Sequence, residues 1–252
     1  MKNKSFLLIL FLLACTFVFS QKRICEGGNC KDGYGDSYQK STNEIYHGYF
    51  KNSKFNGIGM YSNNKGFYYS QFTNNKMNGY TVYYQKGYLS SGKFVNGIKD
   101  GVHFVNTDQQ GAINRNVITY KNGKEVKTEK LKVTRENFNS GKACISGNCE
   151  NGNGVLLLKA KNILIIGKFE KSIMLEGEHI NLMNAESYFF KAPKDNTKPY
   201  FKFLRLPMKD EGGYLEVAAM FISNKKNGQA ILYKTKSKQM VNYIYKDDKI
   251  VN

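Results

Sequence analysis

Tryptophan is absent from the 252 residues, and proline and histidine occur only three times each. So little proline, set beside 18 Tyr, 17 Phe and an apolar fraction of 41%, excludes wholesale disorder. Acidic residues are also few, 20 against 38 lysines and arginines, which leaves a net charge of +18. Beyond Phe19 no apolar run reaches the roughly 20 residues that a membrane-spanning helix needs, so a transmembrane protein is disfavoured.

The scarcity of histidine also limits the chemistry. His47, His103 and His179 form no H-E-x-x-H or H-x-H element, and the first two fall at repeat positions, so they read as strand side chains. There is no G-x-S-x-G elbow. Gly33-Tyr34-Gly35 and Gly152-Asn153-Gly154 lack the following Lys-Ser/Thr of a phosphate loop and read as turn glycines. Glu176, Glu178 and Glu186 can be weighed as a glycosidase pair, but a chain with 20 acids places such neighbours by chance. No cofactor or metal is expected.

Residues 1–20 have the layout of a secretory signal: Lys2 and Lys4, an apolar stretch from Ser5 to Phe19, then Ser20 before Gln21. Leu12-Leu13-Ala14-Cys15 offers a competing lipoprotein box, but the apolar core continues past Cys15, which favours cleavage after Ser20. The expectation is an exported protein, periplasmic or associated with the outer membrane.

The other four cysteines form two matched pairs. Cys25 and Cys30 lie in CEGGNCKDGYG, and Cys144 and Cys149 in CISGNCENGNG, 119 residues later. An exported chain with an even count reads as disulfide-bonded, most simply as one small loop per copy. Sequence leaves three connectivities open, and a four-thiolate zinc site is the alternative that export argues against.

Repeats run on two scales. Phe50, Phe72 and Phe94 are 22 residues apart, as are Gly57, Gly79 and Gly101, and Gly48, Ser70 and Gly92. Gly167 and Phe169 then answer Gly48 and Phe50 at the cysteine offset of 119, and Phe221 and Gly228 answer Phe94 and Gly101 at 127. The reading is a first half over 21–126, a charged connector over 127–143, and a second, degenerate half over 144–252. An insertion around 184–213 holds all three prolines and forms an enlarged loop or hairpin. Period-two alternation, broken by Asn52-Ser53, Asn74-Asn75, Asn96-Gly97, Asn122-Gly123 and Asp247-Asp248, predicts one tight β-hairpin per unit. Gly57, Gly79 and Gly101 mark positive φ or close backbone approach.

Tyr46-x-Gly48-x-Phe50-x-Asn52, followed by Gly57-x-Gly59, resembles the unit of the MORN (membrane occupation and recognition nexus) family. Later units depart from it: Ser70 replaces the first glycine, Thr81 and His103 the last, and Phe169 lies eight rather than seven residues before Gly177. The Cys-x4-Cys opening is similar to that of exported bacterial MORN-variant proteins. The resemblance implies an all-β fold, an elongated twisted antiparallel sheet of consecutive hairpins duplicated in tandem. It also implies a non-enzymatic module for scaffolding, membrane apposition or partner binding.

Lys51, Lys54, Lys76, Lys93 and Lys99 cluster at turns and strand ends and form the candidate binding surface. They read either as guards against edge pairing or as attraction to anionic envelope material, lipid or acidic polysaccharide. Nucleic acid is not expected, because export separates the chain from it. A hydrolase with its site in the 184–213 insertion is the enzymatic alternative. A protein partner and peripheral membrane contact are both compatible with the pattern.

Overall fold

The computed structural model describes residues 23–85, 88–106, 114–193, 195 and 197–251. The leader reading of residues 1–20, Cys15 included, lies outside the described residues.

Among the described residues the chain is all-β apart from one short helix and one 3-10 turn, Lys159–Lys161. The first half forms β1 (Ile24–Gly28), β2 (Gly33–Gln39), β3 (Glu44–Lys51), β4 (Lys54–Asn63), β5 (Gly66–Thr73), a two-residue β6 (Lys76–Met77), β7 (Gly79–Gln85), β8 (Tyr88–Val95), β9 (Ile98–Asn106), β10 (Arg115–Lys121) and β11 (Lys124–Leu131). The helix α1 (Arg135–Asn139), capped by the Thr134 hydroxyl accepting from the Asn137 N–H, joins it to the second half. There β12 (Cys144–Gly147), β13 (Asn153–Leu158), β14 (Ile163–Glu170), β15 (Ile173–Asn181), β16 (Ser187–Lys191), β17 (Tyr200–Pro207), β18 (Tyr214–Ile222), β19 (Lys225–Lys234), β20 (Gln239–Lys246) and β21 (Lys249–Ile250) follow. Each half is an antiparallel sheet whose strands neighbour one another in chain order, and neither closes into a barrel. The first sheet runs on to Leu131, so residues 127–131, expected as connector, complete its last strand. The insertion supplies β16 and β17, which pair as a hairpin inside the second sheet.

Among the described residues seven hairpins turn on two residues that both have positive φ, the mark of the type I′ turn that matches strand twist. Five are the pairs expected from sequence; Lys171-Ser172 and Ser223-Asn224 adopt the same conformation with residues less typical of it. A bulge follows several of these turns, because the register slips between Gly48 and Phe50, Gly92 and Lys93, Lys168 and Phe169, and Ala219 and Phe221. Bulges increase local twist and curl the sheets.

The repeat glycines have a packing reason. Gly48, Gly59, Ser70, Thr81, Gly92 and His103 occur every 11 residues and lie side by side across β3, β4, β5, β7, β8 and β9, with Ser70 and Thr81 linked through their hydroxyls at 2.7 Å. The Tyr46 ring lies over the two glycines at the start of this row; a Cβ on Gly59 would come within 2.6 Å of three of its atoms. That ring stacks on Phe55 at 3.7 Å and meets Phe50 and Phe72 edge-on at 5.1 and 5.2 Å. Two hairpins later, His103 fills the same niche from the neighbouring strand, over Gly92 and edge-on to Phe94 (5.5 Å) and Tyr120 (5.0 Å). In the second sheet Gly177 pairs with Gly167, so it answers Gly59 rather than Gly57, and Ile165, Met174 and Phe169 build the counterpart of the Tyr46 cluster, with Ile165 in place of the tyrosine.

His103 carries a pH consequence. Burial lowers its pKa to about 4, the hydrogen bond between Nε2 and the Lys93 carbonyl opposing the shift only partly. A histidine with a depressed folded-state pKa adds stability that is fully present above its unfolded value of about 6.5 and is lost as pH falls towards 4. Urea titrations should therefore show the protein losing on the order of 3 kcal/mol more between pH 7 and 4 than the His103→Phe variant, which keeps a ring in the niche. Equal acid sensitivity of the two would refute the assignment.

The two sheets pack face to face, which the hairpin repeat by itself did not require. One inter-sheet core joins Tyr49, Ile58, Met60, Tyr69, Tyr80 and Val82 to Phe189, Phe201, Phe203, Ala218 and Ile231. A second joins Val102, Phe104, Val117 and Leu131 to Ile145, Val155, Leu157, Leu164 and Ile166. The order is reversed between layers: β4 lies against β18 and β19, β7 against β16 and β17, and β11 against β13. Reversal with the strands roughly aligned brings the type I′ turns of both sheets to one end. Near that end the Gln229 amide oxygen accepts from the Ile58 N–H at 3.1 Å, and it sits where a Cβ on Gly57, at φ +89, would stand.

Candidate functional site

The carboxylates weighed for catalysis are all engaged. Glu178 accepts two hydrogen bonds from Arg115, at 2.9 and 3.3 Å, and Glu176 accepts from Lys191 at 2.6 Å. Glu186 accepts from the Tyr188 hydroxyl at 3.0 Å. Between the sheets, the fully buried Glu216 accepts from Tyr69 at 2.6 Å beside Arg205, and burial pushes its carboxyl above the usual range against those favourable contacts. The cleft next to the insertion, about 230 Å³, has Glu170 as its one carboxylate among mostly apolar walls.

The histidines are dispersed. His47 Nδ1 lies 2.8 Å from Asp36, His103 is in its niche, and His179 lies against Phe190 with its pKa lowered by burial and by Lys202. Cys25 is bonded to Cys30 and Cys144 to Cys149, so no thiolate is left in those loops for a metal. These bonds point to an oxidising, non-cytoplasmic setting. Among the described residues no helix is long and apolar enough to cross a membrane.

Four of the five sequence-selected lysines meet at the turn end. Lys51 and Lys54 flank the first turn and face each other as a cross-strand pair, and Lys76 and Lys99 follow the second and third turns. Lys93 does not join them: it lies farther along β8, 3.6 Å from Asp100. Sequence reasoning passed over Lys121 and Lys124, which face each other across the Asn122-Gly123 turn, although that turn had been recognised. The second sheet adds Lys171, Lys225 and Lys249 at its own turns.

The turns are tied into a row. The second turn residue donates its N–H to a carbonyl just beyond the preceding turn: Asn75 to Phe55 (3.1 Å), Gly97 to Met77 (2.8 Å) and Gly123 to Lys99 (3.0 Å). Asx side chains lock it from the other side, with Phe55 N–H donating to Asn75 Oδ1 at 2.7 Å and Lys226 N–H to Asp248 Oδ1 at 2.8 Å. Each hairpin advances by two strand spacings, so the lysines recur about every 10 Å. Lysines also occur at the opposite end, but on loops of unequal length, without this regular spacing.

A cleft of about 570 Å³ opens between these turns on the outer face of the first sheet. Phe55, Phe72, Tyr61 and Met77 form its floor, and Ser53, Asn75, Lys76 and Gly97 its turn-side rim. Arg23 forms the far wall: its guanidinium lies 4.9 Å over Phe55, and Nη2 donates to Glu44 (2.7 Å) and Gln39 (3.2 Å). Arg23 belongs to no repeat position, so nothing in the sequence marked it.

No protein-family model matches this chain, and a comparison with curated proteins finds no match. The charge and shape of the turn end are therefore the guide to function.

Proposed function

We propose that this is an exported, non-enzymatic, MORN-like binding module that attaches by its turn end to an anionic component of the cell envelope. The observation that carries the reading is the pairing of Lys51 with Lys54 and of Lys121 with Lys124 across tight turns. Like charges directly opposite one another on adjacent strands destabilise a hairpin. A surface selected only for solubility would alternate the signs. Exposed cations at regular intervals instead suit a repeating anion, and each lysine held near an anionic surface contributes about 1 kcal/mol. The paired disulfides and the secretory layout of residues 1–20 support an extracytoplasmic site of action.

Changing Lys51, Lys54, Lys121 and Lys124 together to glutamine should weaken binding to polygalacturonate or to phosphatidylglycerol vesicles by at least about a hundredfold at low salt. The slope of log affinity against log salt should flatten with it. The same variant should be as stable as the parent or more so, since two repulsive pairs of up to about 1 kcal/mol each are gone. Co-sedimentation with thermal denaturation tests both halves, and undiminished binding would end this reading.

A further inference from the structure

We infer that the cleft beside the turn row is a subsite for one pyranose ring carrying a carboxylate, so that the anionic component is an acidic polysaccharide; this rests on the docking reading above. The volume of about 570 Å³ lies within the range of small-molecule sites. Its polarity is divided as a sugar requires. The apolar C–H face of a pyranose suits the floor of Phe72, Tyr61 and Met77, and its hydroxyls suit the Ser53 hydroxyl and the Asn75 amide at the rim.

Arg23 selects the charged group. Glu44 and Gln39 hold one terminal nitrogen, Phe55 lies under the plane, and the other terminal nitrogen, Nη1, is buried with no hydrogen-bonding partner among the described residues. A guanidinium N–H that is unpaired and shielded from solvent is costly, and a rotation of the 22%-exposed side chain into the cleft lets an incoming carboxylate satisfy it with a charge-assisted bond. Lys76 on the opposite wall adds a second cation. The cleft opens at the turns, so a chain with one unit seated there continues along lysines spaced about 10 Å apart, roughly the length of two sugar units.

A lipid surface fits this geometry less well. The large apolar residues exposed at the turn end include Ile98, Ile173 and the adjacent Ile250 and Val251, on three separate hairpins, whereas a bilayer face would need them joined in one patch.

Calorimetry at about 0.15 M salt with a short oligogalacturonate, inorganic polyphosphate of equal charge and phosphatidylglycerol vesicles tests the assignment. The oligogalacturonate should bind about tenfold more tightly than polyphosphate. Arg23→Gln, a change at a side chain 22% exposed and near the start of the described residues, should abolish that preference and leave polyphosphate affinity unchanged. Lys51→Gln/Lys54→Gln should weaken both polymers together. Equal affinity for the two polymers, an unaltered preference in the Arg23 variant, or tighter binding to vesicles would overturn the subsite and leave the docking reading standing. Failure of all three probes to bind at low salt would overturn both.

Discussion

Arg115→Ala should lower the unfolding free energy by roughly 3–5 kcal/mol. Arg115 comes from β10 of the first sheet and Glu178 from β15 of the second, and both side chains are about 5% exposed. Nε and Nη2 of the arginine donate to the same carboxylate oxygen, at 3.3 and 2.9 Å. Truncating the arginine leaves an ionised carboxylate between two sheets with its partner removed and little water to replace it. Taking away both charges tells a different story: Arg115→Met with Glu178→Leu should come within about 1 kcal/mol of the parent or exceed it, because a buried pair only roughly offsets its own desolvation. Guanidinium titrations of the parent, both single variants and the double variant give the coupling energy directly. A loss below about 1 kcal/mol in Arg115→Ala would mean that Glu178 is solvated, and so that the halves do not pack in the reversed order seen here.

That pair also shows where sequence reading stops. The turns were legible because a two-residue type I′ connection needs positive φ twice, and Asn, Asp and Gly advertise it: Asn52-Ser53 through Asp247-Asp248 all adopt it. The 22-residue spacing was legible because a residue every 11 positions returns to one line across neighbouring strands. Face-to-face packing was not, because both faces of these strands are rich in aromatics. Tyr46 and Phe50 belong to an outer cluster and Tyr49 to the inter-sheet core, yet they are near neighbours in one strand. Alternation assigns residues to faces without saying which face meets another sheet. Arg115, Glu178 and Glu216 were equally hidden, since a charge acquires a buried partner only through the tertiary arrangement. At the candidate surface, local lysine spacing located Lys51, Lys54, Lys76 and Lys99 but also selected Lys93, whose Asp100 partner depends on the bulge in the third hairpin.

Gly59→Ala should cost roughly 3–5 kcal/mol, far more than an added methyl usually does, because the space it needs is already occupied. The new Cβ would stand 2.4 Å from one Tyr46 ring carbon and 2.5 Å from its hydroxyl oxygen. The ring cannot yield in place: it is 0% exposed, lies flat on Phe55, and donates its hydroxyl to the Tyr49 carbonyl at 3.0 Å. Either the tyrosine leaves, opening a cavity among Phe50, Phe55 and Phe72, or β3 and β4 separate. The third hairpin shows how the chain resolves the same constraint with the residues exchanged. Ser90 stands where Tyr46 does, two residues before the row glycine, and His103 stands where Gly59 does, its ring returning over Gly92 to the same edge-on contacts. Tyr46→Ser/Gly59→His should therefore recover part of what each change loses alone, with a coupling energy of about 1–3 kcal/mol. If thermal denaturation finds the two effects simply additive, the niche is not shared, and the glycine spacing answers to backbone conformation rather than to the ring packed over it.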